Sequence, residues 1–120
     1  MSKKTLVIGA SLKEERYSNR AIQKLRAHQI DTVAIGLRKG IVADVNIDVE
    51  KKEYQNIDTV TLYLNPKRQE EYYNYIIDLK PNRVIFNPGT ENFEFLKMLK
   101  KNNIESEIAC TLVLLGTSQY

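Results

Sequence analysis

The feature that most constrains the fold is a set of five short apolar runs spread along the chain. They are rich in Val, Ile and Thr, and most are continuous rather than alternating, which is typical of strands buried on both faces of a parallel sheet. The predicted strands are Thr5–Ile8, Thr32–Ile35, Thr59–Leu62, Arg83–Phe86 and Glu105–Ala109.

Helical patterns separate most of these runs. The predicted helices are Ser18–His28, Pro66–Leu79 and Thr90–Lys101. Ser18 and Thr90 are suitable capping residues, and proline is favoured at a first helical position. The connection from Leu37 to Asn56 contains no convincing helix. It holds an alternating pattern from Val45 to Val49, and we expect an extended strap with one short turn.

Alternation of strands and helices predicts an α/β fold, a Rossmann-like doubly wound parallel sheet of about five strands with helices on both faces. We expect the strand order 3-2-1-4-5. In that order the chain reverses its direction of travel between the first and fourth strands, and ligands bind outside the carboxyl ends of the strands at that point. The segments delivered there are Gly9–Ser11 and Asn87–Asn92.

Composition is that of one folded domain spanning residues 1–120, with 42% hydrophobic residues, 28% charged residues and a net charge of +3. This mild, interleaved charge argues against a nucleic-acid or membrane partner but suits a small anionic ligand. No signal peptide or membrane span is evident, so we expect a soluble cytoplasmic protein. The single Cys110 and single His28 argue against a disulfide framework, a metal site and a catalytic triad.

The first strand ends in a glycine turn, Gly9-Ala10-Ser11, which precedes a helix near Ser18. Small residues let a ligand approach the backbone, and the helix N-terminus offers free amides to a phosphate. Arg16 stands two residues before the predicted helix, where a diphosphate would lie. Only one glycine is present, so this is not the G-x-G-x-x-G fingerprint, and tight packing alone is an equal interpretation of the turn.

The second strand ends in Gly36, Leu37, Arg38 and Lys39, without an acid. Domains that bind NAD place Asp or Glu here to contact the free ribose hydroxyls. Cations suit an adenosine ribose that carries a phosphate, which favours coenzyme A or NADP over NAD. A solvated Arg-Lys pair on a loop is the competing interpretation.

Two further segments follow strands. Asn87, Pro88 and Gly89 form a predicted turn after the fourth strand, and the Asn87 amide has the chemistry to contact the amides of a pantetheine arm. Tyr63 follows the third strand and is a second candidate for that arm, although a packed, half-exposed tyrosine fits the pattern equally well.

These segments together resemble the small stand-alone CoA-binding proteins, which are similar to the N-terminal domain of the succinyl-CoA synthetase α-subunit. The likeness rests on Gly9-Ala10-Ser11, on Arg16-Tyr17-Ser18 and, most specifically, on residues Asn87 to Asn92. It implies a diphosphate at residues 9–18, a phosphorylated adenosine near Arg38 and Lys39, and pantetheine towards residues 63–66 and 87–89.

The resemblance does not extend to synthetase activity, because nothing here corresponds to the second domain that carries the phosphorylated histidine. Three functions remain open: a non-catalytic module that binds coenzyme A or an acyl-CoA, an NADP-linked nucleotide-binding protein, and an interaction protein that has lost the ligand. The sequence leaves open whether the chain forms a homo-oligomer or works with a partner enzyme.

Overall fold

Seven strands form one sheet in this computed structural model, which describes residues 3–120. In chain order the strands are β1 (Thr5–Ala10), β2 (Thr32–Gly36), β3 (Gly40–Val42), β4 (Val45–Asp48), β5 (Thr59–Leu62), β6 (Arg83–Phe86) and β7 (Glu105–Ile108). Their order across the sheet is β3-β4-β2-β1-β5-β6-β7. All neighbours are parallel except β3 and β4, which pair antiparallel.

Residues 3–120 also contain five α-helices and one 3-10 helix. They are α1 (Tyr17–Ala27), α2 (Pro66–Gln69), the 3-10 helix Glu70–Tyr72, α3 (Tyr73–Leu79), α4 (Phe93–Lys101) and α5 (Thr111–Gly116). Within residues 3–120 no helix combines the length and the apolar character that a bilayer crossing needs.

Both faces of the sheet are buried, as the continuous apolar runs predict. Leu6 and Ile8 of β1 pack in a core shared with α3 and α4, whereas Val7 points to the opposite face and packs with α1 and α5. The Rossmann-like class and the helices on both faces are therefore confirmed.

The predicted strand order and strand count are wrong. The strand at Thr59, β5, pairs with β1 in register Thr5↔Thr59 rather than lying beyond β2. The edge next to β2 is occupied by β4, through the pairs Ala34↔Ile47 and Ile35↔Asp48. Because β4 pairs with β2 on that side, β5 pairs with β1 on the side away from β2. The reversal of direction therefore falls between β1 and β5, and the glycine turn adjoins residues 63–65.

The connection after β2 is a hairpin followed by a strap. Residues 43–44 turn the chain between β3 and β4, and the alternating segment at Val45 forms β4, with Val45 and Ile47 buried and Asn46 exposed. The prediction of an unpaired strap with one turn thus missed two strands. The strap proper is limited to the residues between β4 and β5.

Three helices differ from their predicted ranges. Helix α1 starts at Tyr17, which leaves Ser18 inside the first turn rather than at the cap. Helix α4 starts at Phe93, and its cap is Asn92, whose side chain accepts the Phe95 amide, rather than Thr90. The predicted helix Pro66–Leu79 is divided by the 3-10 turn. Helix α5 was not predicted.

Candidate ligand-binding cleft

A cleft of about 630 Å³ opens at the carboxyl ends of the central strands, a volume in the usual range for small-ligand sites. It is lined by residues 9–13, 16–18, 35–38, 63–65 and 88–90, with Arg68 and Tyr72. These segments follow β1, β2, β5 and β6, so the cleft lies at the reversal point where open α/β sheets bind ligands. We name residues 64–65 the β5 lip and residues 88–90 the β6 lip.

The glycine turn at the floor of the cleft is fixed by close packing. Gly9 has φ +94°, and a Cβ built on it would lie 2.9 Å from the carbonyl carbon and oxygen of Tyr63. The Tyr63 amide donates to the Ile8 carbonyl at 2.9 Å, which holds the two strands at this distance. Gly36 likewise packs against the Ala10 carbonyl. Packing alone therefore requires these two glycines, whatever the ligand.

The N-terminus of α1 faces the cleft with free amides. Within residues 3–120 the backbone amides of Tyr17 and Ser18 donate to no protein acceptor, and the first turn contains no acid. The preceding loop is anchored because the buried Asn19 donates from Nδ2 to the Ser11 carbonyl at 2.9 Å. Free amides at a helix N-terminus favour an anion such as a phosphate.

Four cations line the cleft together with this N-terminus: Lys13, Arg16, Arg38 and Arg68. No carboxylate lines the cleft, and within residues 3–120 none of the four lies within ion-pair distance of one. Four cations without a carboxylate create a positive field in a concave site, which suits a ligand with several negative charges. Lys13 and Arg68 were not predicted as site residues.

Arg38 and Lys39, predicted together, occupy different positions. Arg38 lines the cleft, whereas Lys39 does not. The pKa of Asp48, on the hairpin, is held below its usual range by hydrogen bonds from Tyr54 and Lys52 against the opposing effect of burial, with a smaller contribution from the charge of Lys39. The charge of Lys39 therefore acts on the hairpin carboxylate, and of the two cations only Arg38 lines the cleft.

Tyr63 lines the cleft, but its side chain packs with the core on the α1 side of the sheet. Its hydroxyl is buried and makes no hydrogen bond within residues 3–120. Burial raises the pKa of Tyr63 to about 12, so the phenol is neutral at physiological pH. The phenol packs in that core, which supports the interpretation of Tyr63 as a packed residue.

Asn87 lies outside the cleft, in contrast to its prediction as a ligand-binding residue. It is buried, and its Nδ2 donates to Thr61 Oγ1 at 2.6 Å and to the Leu62 carbonyl at 2.9 Å. Its Oδ1 accepts the Thr111 amide at 2.9 Å. Both amide hydrogens of Asn87 thus bond β5 and its oxygen bonds α5, so the side chain joins these two elements to the end of β6. The neighbouring Pro88 and Gly89 do line the cleft.

The cleft has no features of a metal centre. Among residues 3–120, no group of three or more His, Cys, Asp or Glu residues is placed to hold an ion. Cys110 is half-buried at the start of α5 and does not line the cleft. The chemistry offered by the lining is therefore that of cations, amides, hydroxyls, and aliphatic and aromatic side chains.

Comparison with known families and structures agrees with this geometry. A family model described as "CoA binding domain" matches residues 3–116. A crystal structure of an uncharacterized protein shares 45% identity over 100% of this chain and 99% of that chain, with a TM-score of 0.96. A hypothetical protein from Pyrococcus horikoshii OT3 shares 25% identity over 93% and 80%, with a TM-score of 0.83.

A protein from Thermus thermophilus shares the fold at a TM-score of 0.86 and 16% identity, over 99% of this chain and 91% of that chain. No curated protein matches the chain. Since the family model covers nearly all of the described residues, the chain belongs to the CoA binding domain family.

Proposed function

We propose that this chain binds coenzyme A or an acyl-CoA in the cleft, as a binding module without catalysis of its own. The observation that carries the proposal is that four cations line the cleft together with the free N-terminus of α1, while among the described residues no carboxylate lines the cleft or pairs with them. Coenzyme A carries a diphosphate and a 3′-phosphate at one end, so its charge is concentrated at the end that this site would hold.

The order of the strands supports one orientation of the ligand. Arg38 follows β2, the glycine turn follows β1, and the two lips follow β5 and β6, so these features lie side by side along the sheet edge. The ribose 3′-phosphate would lie near Arg38, the diphosphate at the amides of Tyr17 and Ser18, and the pantetheine arm across the lips.

We propose a module without catalysis because of the residue types that line the cleft. Its described residues include no histidine, cysteine or carboxylate, which are the usual general acids, bases and nucleophiles. Tyr63 is held neutral with its hydroxyl buried, so it is not placed to exchange a proton with a ligand.

A second candidate ligand is NADP. Arg38 lines the cleft at the end of β2, where a phosphate on either the 2′- or the 3′-position of the adenosine ribose would be bound. Both ligands contain a diphosphate, so the cations alone do not separate them. The portion that differs is the arm beyond the diphosphate, which is why the test compares whole ligands.

The test is isothermal titration with four ligands: coenzyme A, dephospho-CoA, NADP and NAD. We expect coenzyme A to bind tightest and NAD weakest, because among the described residues no Asp or Glu lines the cleft after β2 to bind the free ribose hydroxyls of NAD. Native mass spectrometry of gently purified protein, searched for an adduct of CoA mass, gives an independent measurement. If NADP binds more tightly than coenzyme A, the ligand is a nicotinamide cofactor. If none of the four binds, the result favours an interaction protein that has lost the ligand.

A further inference from the structure

The two lips of the cleft are joined by one buried side chain. Gln69, at the end of α2, is 0% exposed. Its Nε2 donates to the Leu64 carbonyl of the β5 lip at 2.8 Å and to the Thr90 carbonyl of the β6 lip at 2.8 Å. Both hydrogens of one amide therefore bond the two loops that bound this half of the cleft.

The orientation of the Gln69 amide is set by a second amide. Asn92 Nδ2 donates to Gln69 Oε1 at 3.0 Å and to the Tyr73 hydroxyl at 2.8 Å. Asn92 Oδ1 in turn accepts the Phe95 amide at 3.1 Å and caps α4. Because each amide has a donor side and an acceptor side, this chain of bonds leaves Gln69 only one orientation, with its hydrogens towards the lips.

The other half of the cleft is held by different contacts. The glycine turn is fixed by the approach of Gly9 to the Tyr63 backbone, and the loop after it is anchored by Asn19 through the Ser11 carbonyl. Arg38 follows β2, which pairs with β1 and β4. Gln69 makes no hydrogen bond to these elements. The hydrogen bonds of Gln69 therefore support the lip half alone, and the two halves meet where Gly9 packs against the Tyr63 backbone and the Leu64 side chain.

We infer that Gln69 is a positioning residue for the lip half of the cleft: it holds the two lips at a fixed separation before the ligand arrives. The inference rests on the proposed function, under which the pantetheine arm lies across the lips. A preformed cleft does not spend binding free energy on ordering its loops, so loss of the Gln69 bonds weakens the ligand portion that contacts the lips. The portion at the glycine turn is unaffected.

Adenosine 3′,5′-bisphosphate provides the readout, since it retains the phosphorylated ribose of coenzyme A and lacks the pantetheine arm. In Gln69→Met, which removes both donors at similar volume, we expect coenzyme A affinity to fall by roughly tenfold, the effect of about one lost hydrogen-bonding group. The affinity for adenosine 3′,5′-bisphosphate should change by less than about twofold.

Two further variants make the test decisive. Asn92→Asp keeps the oxygen that caps α4 but removes the donor to Gln69, so it should weaken coenzyme A binding in the same selective way, by a smaller factor. Thr5→Val is the control: it removes a buried hydroxyl at the opposite edge of the sheet and should lower stability without changing either affinity. If Gln69→Met does not fold, Asn92→Asp decides the matter.

If Gln69→Met lowers the affinities for coenzyme A and adenosine 3′,5′-bisphosphate equally, Gln69 only supports the fold. This result would overturn the inference. Unchanged affinity for both ligands in a folded variant would overturn it as well. Absence of coenzyme A binding by the unmodified protein is a separate outcome, because it would contradict the proposed function itself rather than the role of Gln69.

Discussion

The two ends of the parallel strands, which we call the carboxyl edge and the opposite edge of the sheet, differ in how their charged residues are paired. At the carboxyl edge, the four cations of the cleft have no carboxylate partner. At the opposite edge, a hollow of about 300 Å³ has both signs in its lining. There Arg83 bonds Glu107 at 2.8 Å and Thr59 at 2.9 Å, while Asn82 donates to Asp58 at 2.7 Å.

Under the proposed function, this difference separates charges that stabilise the fold from charges that bind the ligand. The Arg83 guanidinium also lies over the Tyr120 ring, 4.4 Å from its centroid, so most of it is engaged within the chain, while its buried Nη2 has no hydrogen-bond partner among the described residues. Such a residue contributes to stability and leaves little capacity for a ligand. Unpaired cations in a concave site contribute little to stability and raise the local potential for anions. Variants at the two edges should therefore affect different measurements.

The largest effect is expected from Gly9→Ala, with Gly89→Ala as the matched control. Both glycines have positive φ, +94° and +89°, but only at Gly9 would a Cβ meet backbone atoms, those of Tyr63 at 2.9 Å. We expect Gly9→Ala to lower the free energy of unfolding by about 2–5 kcal/mol, from backbone strain plus overpacking. Gly89→Ala should cost about 1–2 kcal/mol, from strain alone.

Urea unfolding of both variants, followed by circular dichroism, makes this comparison. The folded fraction of Gly9→Ala should also bind coenzyme A weakly, because the turn beneath the α1 N-terminus is displaced. Equal destabilisation by the two substitutions would mean that contact with the Tyr63 backbone does not account for the glycine.

The next effect concerns the phosphate on the ribose. Arg38→Gln should reduce the preference for coenzyme A over dephospho-CoA by roughly tenfold to a hundredfold, the range for a charge-assisted hydrogen bond. Lys39→Gln should reduce it far less, since Lys39 does not line the cleft. Titration of both ligands into both variants measures the difference. An equal loss in the two variants would place Lys39 at the phosphate beside Arg38.

Sequence patterns predicted the class of the fold and segments after β1, β2, β5 and β6 that line the cleft. Continuous apolar runs identified the five parallel strands, and the glycine turn and Arg38 follow strands whose ends line the cleft. These features are local, because a run of residues between turn signals specifies a strand and its last residue specifies the loop position. The β1–β2 pairing was therefore predicted correctly, together with the parts of the cleft that depend on it.

The arrangement of these segments depended on which strand lies beside β1 on the side away from β2, and this is a long-range property. The hairpin of β3 and β4 fills the edge next to β2, and its local signal was the alternation at Val45–Val49, which was interpreted as a strap. With β5 assigned to the wrong side, Asn87 was placed at the reversal point and Arg68 was overlooked. Helix α5 has six residues, too few for helical periodicity to be recognised.

Arg68 gives the third prediction, which tests the corrected strand order. It lines the cleft from α2, and its neighbour Lys67 does not, so the two cations form a matched pair on one short helix. Arg68→Gln should weaken coenzyme A and dephospho-CoA by a similar factor of roughly 3 to 10, because it lies on the opposite side of β1 from Arg38.

Lys67→Gln should change neither affinity by more than about twofold. Titration at low and high salt adds a check, since general attraction by Lys67 is screened more readily than a direct contact by Arg68. If Arg68→Gln lowers the affinity for coenzyme A but not for dephospho-CoA, Arg68 contacts the ribose phosphate. No loss at all would remove it from the site.

The smallest effect is expected at the opposite edge, from Asp58→Asn. Burial opposes ionisation of Asp58, but hydrogen bonds from Thr59 and Asn82, with the charges of Arg83 and Lys3, outweigh it and hold the pKa of Asp58 below its usual range. A carboxyl group with a lowered pKa in the folded state contributes stability above its unfolded pKa of about 4 and loses that contribution as the pH falls through the folded pKa.

Wild-type protein should therefore lose slightly more stability than Asp58→Asn between pH 5 and pH 3, by less than about 1 kcal/mol for one partly exposed group. Urea midpoints measured across that range in both proteins give the difference, and the other carboxyl groups cancel because they are common to both. At pH 7 the substitution should leave coenzyme A affinity unchanged, since Asp58 lies in the hollow at the other end of the strands and does not line the cleft. A weakened affinity would mean that the two edges are coupled, and the separation of fold charges from ligand charges would then fail.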